Sequence, residues 1–236
     1  MKTIILVGGS KGIGKALVEK LLTYCNVINI SRSILEISHS NLTHHKCDIT
    51  QDELPEIETA DGLVYCPGSI NLKPIGRLKL DDFREDFEIN VVAAVKIIQK
   101  YINSLKNNNG SVVLFSTVAA KMGMPFHASV AASKSAVEGV VKSLAAEFAT
   151  KIRFNCIAPT VTDTTLAARL LRNDKQREGM KQRHPLQKIL EPTEVASLAA
   201  YLLSDVASSI SGQVFPIDAG SVSLKLFARG SSLVRS

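Results

Sequence analysis

No apolar run in this sequence approaches the roughly 20 residues needed to cross a bilayer, so no membrane span is expected. The four cysteines, Cys25, Cys47, Cys66 and Cys156, show no paired spacing of the kind that holds a metal. A chain with an ample core needs no disulfides, so they read as reduced thiols, and no metal site is expected. Met1-Lys2-Thr3 leads straight into an apolar run, which leaves no room for a signal peptide and predicts a cytoplasmic protein. The net charge of +6 favours anionic ligands in general, but without a basic motif it predicts no nucleic-acid partner. Internal repeats and low-complexity linkers are missing too. The 236 residues, 45% of them hydrophobic, suffice for one core, so a single domain over 1–236 is expected.

What is present starts at the N-terminus. Ile4-Ile5-Leu6-Val7 is a short β-branched run of the kind that forms a buried strand. Gly8, Gly12 and Gly14 follow, and Lys15 to Leu22 then carries apolar residues at helical spacing. Strand, glycine turn and helix open a βαβ unit whose helix offers free N–H groups and a positive dipole end to an anion. A glycine triplet alone fits a tight turn with no ligand. Between a strand and a helix it reads as a dinucleotide loop, with Gly8, Ser10, Lys11, Gly12, Ile13 and Gly14 as contacts.

Further strands are predicted at Val27–Ile30, Asn41–Cys47, Gly62–Tyr65, Ser111–Ser116, Ile152–Ile157 and Val214–Asp218. The acidic stretch Asp52–Thr59 reads as a surface helix. A long helical pattern covers Asp81–Tyr101, with Phe83, Phe87, Val91, Ala94 and Ile98 on one face. A second covers Ser129–Ala149, with Ala131, Ala132, Ala136, Val140 and Leu144 small or apolar. A basic helical insertion runs from Thr165 to His184, and a helix starts at Pro192 with the proline just inside it. The alternation predicts an α/β fold, a doubly wound parallel sheet of the Rossmann type in one domain. Gly8, Arg32, Asp48, Gly68, Thr117 and Pro159 all fall at or just past strand ends, where such a sheet binds its ligand.

Taken in order, these motifs resemble the short-chain dehydrogenase/reductase family over nearly the whole chain. The resemblance implies an oxidoreductase in which Asp48, followed by Ile49, contacts the adenine and Gly68 ends the loop after the fourth strand. Asn90 would hold a catalytic water and Lys134 would be the active-site lysine, both beside the cofactor. Pro159 and Thr162 belong to a late cofactor segment. Asn155–Pro159 and Ser211–Val214 look most like β-ketoacyl-ACP reductases, which implies a carbonyl substrate, with acyl carrier protein as a candidate carrier. Family members are dimers or tetramers packed on the two long helices, so a homodimer or homotetramer is expected.

An NAD site places an acid at the end of the second strand, where it bonds the ribose 2′-OH. Here Ser31 and Arg32 stand at that position, and Lys11 lies in the glycine loop. A hydroxyl and two cations suit a 2′-phosphate, so the cofactor reads as NADP(H), with NAD(H) as the alternative.

The resemblance breaks at the proton donor. The family's tyrosine lies four residues before the lysine, and that position is Val130. Tyr24, Tyr65, Tyr101 and Tyr201 all lie elsewhere. Thr117 stands where the catalytic serine belongs and keeps a hydroxyl. Thr160 replaces the glycine after the proline. His127, seven residues before Lys134, matches the tyrosine spacing of enoyl-ACP reductases and is a competent general acid, as is Lys134. Two functions follow: an NADP(H)-dependent reductase of a carbonyl substrate using Asn90, Thr117, Lys134 and a substitute donor, or a catalytically silent NADP(H)-binding protein acting as sensor or partner subunit. The lid insertion, about 163–190, carries Arg169, Arg172, Lys175, Arg177, Lys181, Arg183 and Lys188. These fit an acidic carrier or phosphorylated ligand, and equally a solvated helix face.

Overall fold

Strand β1 (Lys2–Val7) is apolar along most of its length because both faces of a central parallel strand are covered. Its Ile4, Ile5, Leu6 and Val7 are at most 1% exposed. In the computed structural model, which describes residues 1–226, β1 lies between β2 (Cys25–Ser31) and β4 (Gly62–Tyr65), parallel to both. With β3 (Leu42–Lys46), β5 (Ser111–Phe115), β6 (Arg153–Pro159) and β7 (Val214–Ile217) they form a seven-stranded parallel sheet in the order β3-β2-β1-β4-β5-β6-β7. Strand order reverses between β1 and β4. The loops leaving their carboxyl ends therefore diverge and open a crevice.

Helices α1 (Gly12–Leu21) and α6 (Pro192–Leu203) cover one face through Leu17, Val18, Leu21, Val195, Ala199 and Leu202. On the other face, α3 (Ala93–Asn107) and α4 (Ala128–Glu147) pack Ile97, Tyr101, Leu105, Val137 and Val141 onto the strands. Truncating one of the buried leucines to alanine costs about 2–5 kcal/mol. Helix α6 starts where the sequence signals it: Pro192 sits at its first position, and the Glu194 carboxylate accepts from the Glu191 N–H at 2.9 Å.

The helix expected over Asp81–Tyr101 is interrupted. It consists of α2 (Leu80–Phe87), a π-turn at Glu88–Val92 and α3. A π-turn holds more residues than an α-turn, so the apolar register slips across it. Phe87 ends up 45% exposed, whereas Asp82 and Asp86 face inward. Val91, Ala94 and Ile98 remain in the core.

The stretch 52–59 is not a helix. Pro55 stands in its middle, and α3 side chains hold its carbonyls instead. Lys96 Nζ donates to Asp52 O at 3.3 Å, Tyr101 Oη to Pro55 O at 2.8 Å and Ser104 Oγ to Glu58 O at 3.2 Å. In α4 the interior face is Ser129, Val130, Ser133, Lys134 and Val137. The expected small stripe is half-buried beside it, with Ala132 exposed. The basic insertion is a single turn at Thr165–Ala167 followed by α5 (Asp174–Gln182). Ala167, Leu171 and Ile189 pin it from beneath, and a two-pronged Arg177–Asp163 ion pair at 2.6 and 3.0 Å ties it to the loop after β6. Among the described residues no helix is long and apolar enough to cross a membrane.

Candidate active site

Two cavities occupy the crevice. The first is a trough of about 420 Å³ along the ends of β1, β2 and β4. It gathers eleven expected contacts from four separate strand ends: Gly8, Ser10, Lys11, Gly12, Ile13, Gly14, Ser31, Arg32, Asp48, Ile49 and Gly68. Its floor offers backbone N–H groups to an anion. Helix α1 carries no side-chain cap and no acid in its first turn, so its first N–H groups are left for an anion. Gly14 packs so closely that a Cβ there would lie 2.3 Å from Gly8 O. That contact draws the helix end against the strand.

At the far end of the trough, Asp48 Oδ1 accepts from the Thr50 N–H at 3.1 Å and the Thr50 hydroxyl at 2.7 Å. These bonds, the hydroxyl's first, hold the carboxyl below its ordinary range and keep it ionised. Lys11 and Arg32 are both exposed, and no described carboxylate pairs with either. Ser31 is different. Its hydroxyl donates to Ser33 O at 2.9 Å and accepts from Asn29 Nδ2 at 3.2 Å, so it is bound to its own chain.

The second cavity, about 180 Å³, lies under the lid and meets the trough along Ile13, Cys66, Gly68, Thr164 and Leu166. Thr117, His127, Lys134, Pro159 and Thr162 line this cavity and not the trough. Lys134 Nζ is buried and donates to Phe115 O at 2.9 Å. Burial pulls its pKa down to about 8, against the opposing pull of Cys156, Cys66 and Asp86. Asn90, 1% exposed in the π-turn, stands behind Gly68. A Cβ on Gly68 would meet Asn90 Oδ1 at 3.3 Å and Lys134 Nζ at 3.4 Å, so the two groups converge on the bare backbone there.

Thr117 begins a short turn, its Oγ1 accepting from the Ala119 N–H at 3.3 Å, which leaves the O–H free to donate. His127 precedes the first residue of α4, so the helix does not extend back through it. Its Nδ1 lies 2.7 Å from Pro125 O. A carbonyl only accepts, so Nδ1 carries the hydrogen and Nε2 donates only when the ring is charged. Val130 lines the cavity and has a wholly apolar side chain. Cys66 lines it too, but burial pushes its thiol up to about 12, so it stays protonated.

Sequence reasoning missed three features. Thr164 lies at the seam of both cavities, a position set by the course of the chain after β6. Asp86 is fully buried and accepts from Ser69 Oγ at 2.6 Å, Ser129 Oγ at 2.6 Å and Asn71 Nδ2 at 3.0 Å, which binds the loop after β4 to α2 and α4. An acid next to an expected apolar stripe was its only signal. Thr160 bonds His184, Oγ1 to Nε2 at 2.8 Å, across 24 residues of lid.

Comparison with known proteins gives the family and the fold. A family model described as "Enoyl-(Acyl carrier protein) reductase" matches residues 39–222. A 2,5-dichloro-2,5-cyclohexadiene-1,4-diol dehydrogenase of Sphingobium indicum is 29% identical over 93% of this chain and 96% of its own. The 3-oxoacyl-[acyl-carrier-protein] reductase FabG of Rickettsia felis is 30% identical over 93% and 96%. Among solved structures, a short chain dehydrogenase family protein of Francisella tularensis superposes with a TM-score of 0.87 at 28% identity, covering 95% of this chain and 100% of that one. A 4-hydroxyisoleucine dehydrogenase mutant complexed with NADH and succinate gives 0.86 at 26%, again over 95% and 100%. ElxO with NADP bound gives 0.84 at 25% over the same shares.

Proposed function

The chain belongs to the short-chain dehydrogenase/reductase family and is an oxidoreductase of that type, and from this premise we propose that it interconverts a carbonyl and its alcohol with NADP(H). One observation carries the reading: the glycine-floored trough runs into a small, largely apolar cavity, and the buried lysine of that cavity lies beside Gly68, which lines both. When bound, the nicotinamide supplies or takes up the hydride. Everything else falls to the chain. Gly8 to Gly14 and the start of α1 would hold the pyrophosphate, Asp48 the adenine, and Arg32 and Lys11 the 2′-phosphate. Related folds are known with NADP and with NADH, so the two unpaired cations are what favour NADP(H) here.

In the cavity, Thr117 has an O–H free to bond the substrate oxygen. Lys134, held near neutrality in its titration, can give or accept a proton at working pH. Asn90 would order water behind it, and His127 in its charged form is a second donor at the cavity wall. The substrate is a carbonyl compound, with an acyl-carrier-linked one favoured by the FabG relatives. Self-association as a dimer or tetramer is supported by exposed Leu80, Phe87 and Val92 along one helical arm. The cytoplasm is the proposed location.

The test is oxidation of NADPH against a panel of ketones and 3-oxoacyl thioesters, with cofactor binding measured in parallel. Turnover of any member supports the reading. Tight NADPH binding with no turnover would instead indicate a silent sensor or partner subunit, for which Val130 is the specific observation.

A further inference from the structure

Position 160 carries a side chain in the cavity wall that reaches through to a buried imidazole. Thr160 follows directly on β6, and its backbone is held on both sides: its N–H donates to Ile217 O at 3.0 Å, and its carbonyl accepts from Thr162 Oγ1 at 3.1 Å. Thr160 lines the same cavity as Thr117, Val130 and Lys134. Its hydroxyl oxygen lies 2.8 Å from His184 Nε2. His184 is 5% exposed, and its other nitrogen, Nδ1, finds no hydrogen-bond partner. A buried imidazole with one idle nitrogen costs stability. A short turn closed by His184 N to Lys181 O and a backbone bond from Leu186 N to Ala219 O keep it in place all the same.

We propose that Thr160 is a catalytic residue of the cavity that lacks a phenol at Val130, passing a proton between the substrate oxygen and His184, which acts as its positioning residue. The proposal rests on the cavity being the substrate site. A hydroxyl can accept on one side while donating on the other, which is what a relay requires. In alcohol oxidation the substrate O–H bond breaks and its proton joins Thr160 Oγ. The Thr160 O–H bond breaks as its proton joins Nε2 of neutral His184. The electron pair leaves the carbon with its hydrogen for the oxidised nicotinamide, and carbonyl reduction remakes the same bonds in reverse. The groups facing His184 are Asp218 and the backbone of Lys188 and Met180, which favour its charged form, and Arg183, which opposes it. Burial outweighs them and keeps the ring neutral, ready to accept a proton.

The experiment uses the NADP-loaded protein with cyclohexanol and cyclohexanone, alongside NMR titration of the His184 ring. Thr160→Val should lower kcat by about 10²-fold with NADPH affinity unchanged, and Thr160→Ser should restore most of it. His184→Asn keeps a hydrogen-bonding side chain but cannot titrate there, so it should flatten the acid limb of the kcat–pH profile. In the unmodified protein, saturating cyclohexanone should shift the His184 titration, and Thr160→Val should abolish that response. Thr160→Val turning over like the unmodified protein, or an unchanged pH profile in His184→Asn, overturns the relay. Should the unmodified protein bind NADPH but turn over neither probe nor any member of the ketone and 3-oxoacyl thioester panel, the proposed function fails on its own. The relay is then judged by the NMR arm, where an unresponsive ring overturns it.

Discussion

Val130 and Lys134 stand one turn apart on the buried face of α4, 4% and 8% exposed, and both line the cavity under the lid. Only the lysine can move a proton. The α4 wall of the cavity is therefore apolar at 130, while Lys134 on the same helix face and Thr117 line the same cavity.

A tyrosine at 130 would direct its phenol into this cavity, near Lys134 and Thr117. Val130→Tyr should raise ketone reduction with NADPH by at least about tenfold, a modest share of what a positioned acid supplies. Overpacking would cost roughly 1–3 kcal/mol where the wall cannot yield, so folding is checked by thermal melting. A folded variant that binds NADPH and gains nothing over a broad carbonyl panel would show the position to be plain wall.

Lys134 makes stability depend on pH with a definite sign. Its folded pKa of about 8 lies below the unfolded value of 10.5, so the native state gives up its proton first. Stability from this site is lowest below pH 8 and recovers as pH rises toward the unfolded value. The stability of the unmodified protein relative to Lys134→Met should rise between those limits, by up to about 3 kcal/mol. Urea midpoints at pH 7 and 10 measure it. A difference that stays flat with pH would mean that the ammonium is hydrated.

Cofactor choice is open to a simple comparison. Among the described residues neither Arg32 nor Lys11 forms a salt bridge, and a 2′-phosphate would provide one. NADPH should raise the melting temperature more than NADH at equal concentration, and Arg32→Asp should reverse that order. Equal stabilisation of the unmodified protein by both would refute the phosphate-site argument.

Gly14 tests the trough through packing alone. The Cβ of Gly14→Ala would meet backbone, not a flexible side chain, at 2.3 Å. The start of α1 must then move away from β1, at a cost of roughly 1–3 kcal/mol, and NADPH affinity should fall with it. Chemical denaturation and NADPH titration together separate the two effects. Retention of both at the level of the unmodified protein would contradict the close approach.

The sheet, its parallel sense and the cofactor end of the crevice were legible in the sequence, because they rest on local rules. β-branched runs make buried strands, glycines are needed where backbones touch, and loops at strand ends line one edge. Gly8 to Gly14, Arg32, Asp48 and Gly68 meet in one trough because each follows a strand of the same sheet. Thr117, His127, Val130 and Lys134 of the second cavity came from the family resemblance, but the long-range contacts that shape its interior were not legible. The π-turn at Glu88–Val92 shifts the helical register and turns Asp86 inward while exposing Phe87, a change that periodicity cannot register. The stretch 52–59 gives up its helix because side chains from α3, over 40 positions later, hold its carbonyls. Thr160 and His184 meet only because the lid folds back over the end of β6. Sequence by itself determined which residues gather at the carboxyl edge of the sheet, because each follows its own strand in the chain. Tertiary structure decided the reacting pocket, where burial and long-range hydrogen bonds set which groups can move a proton.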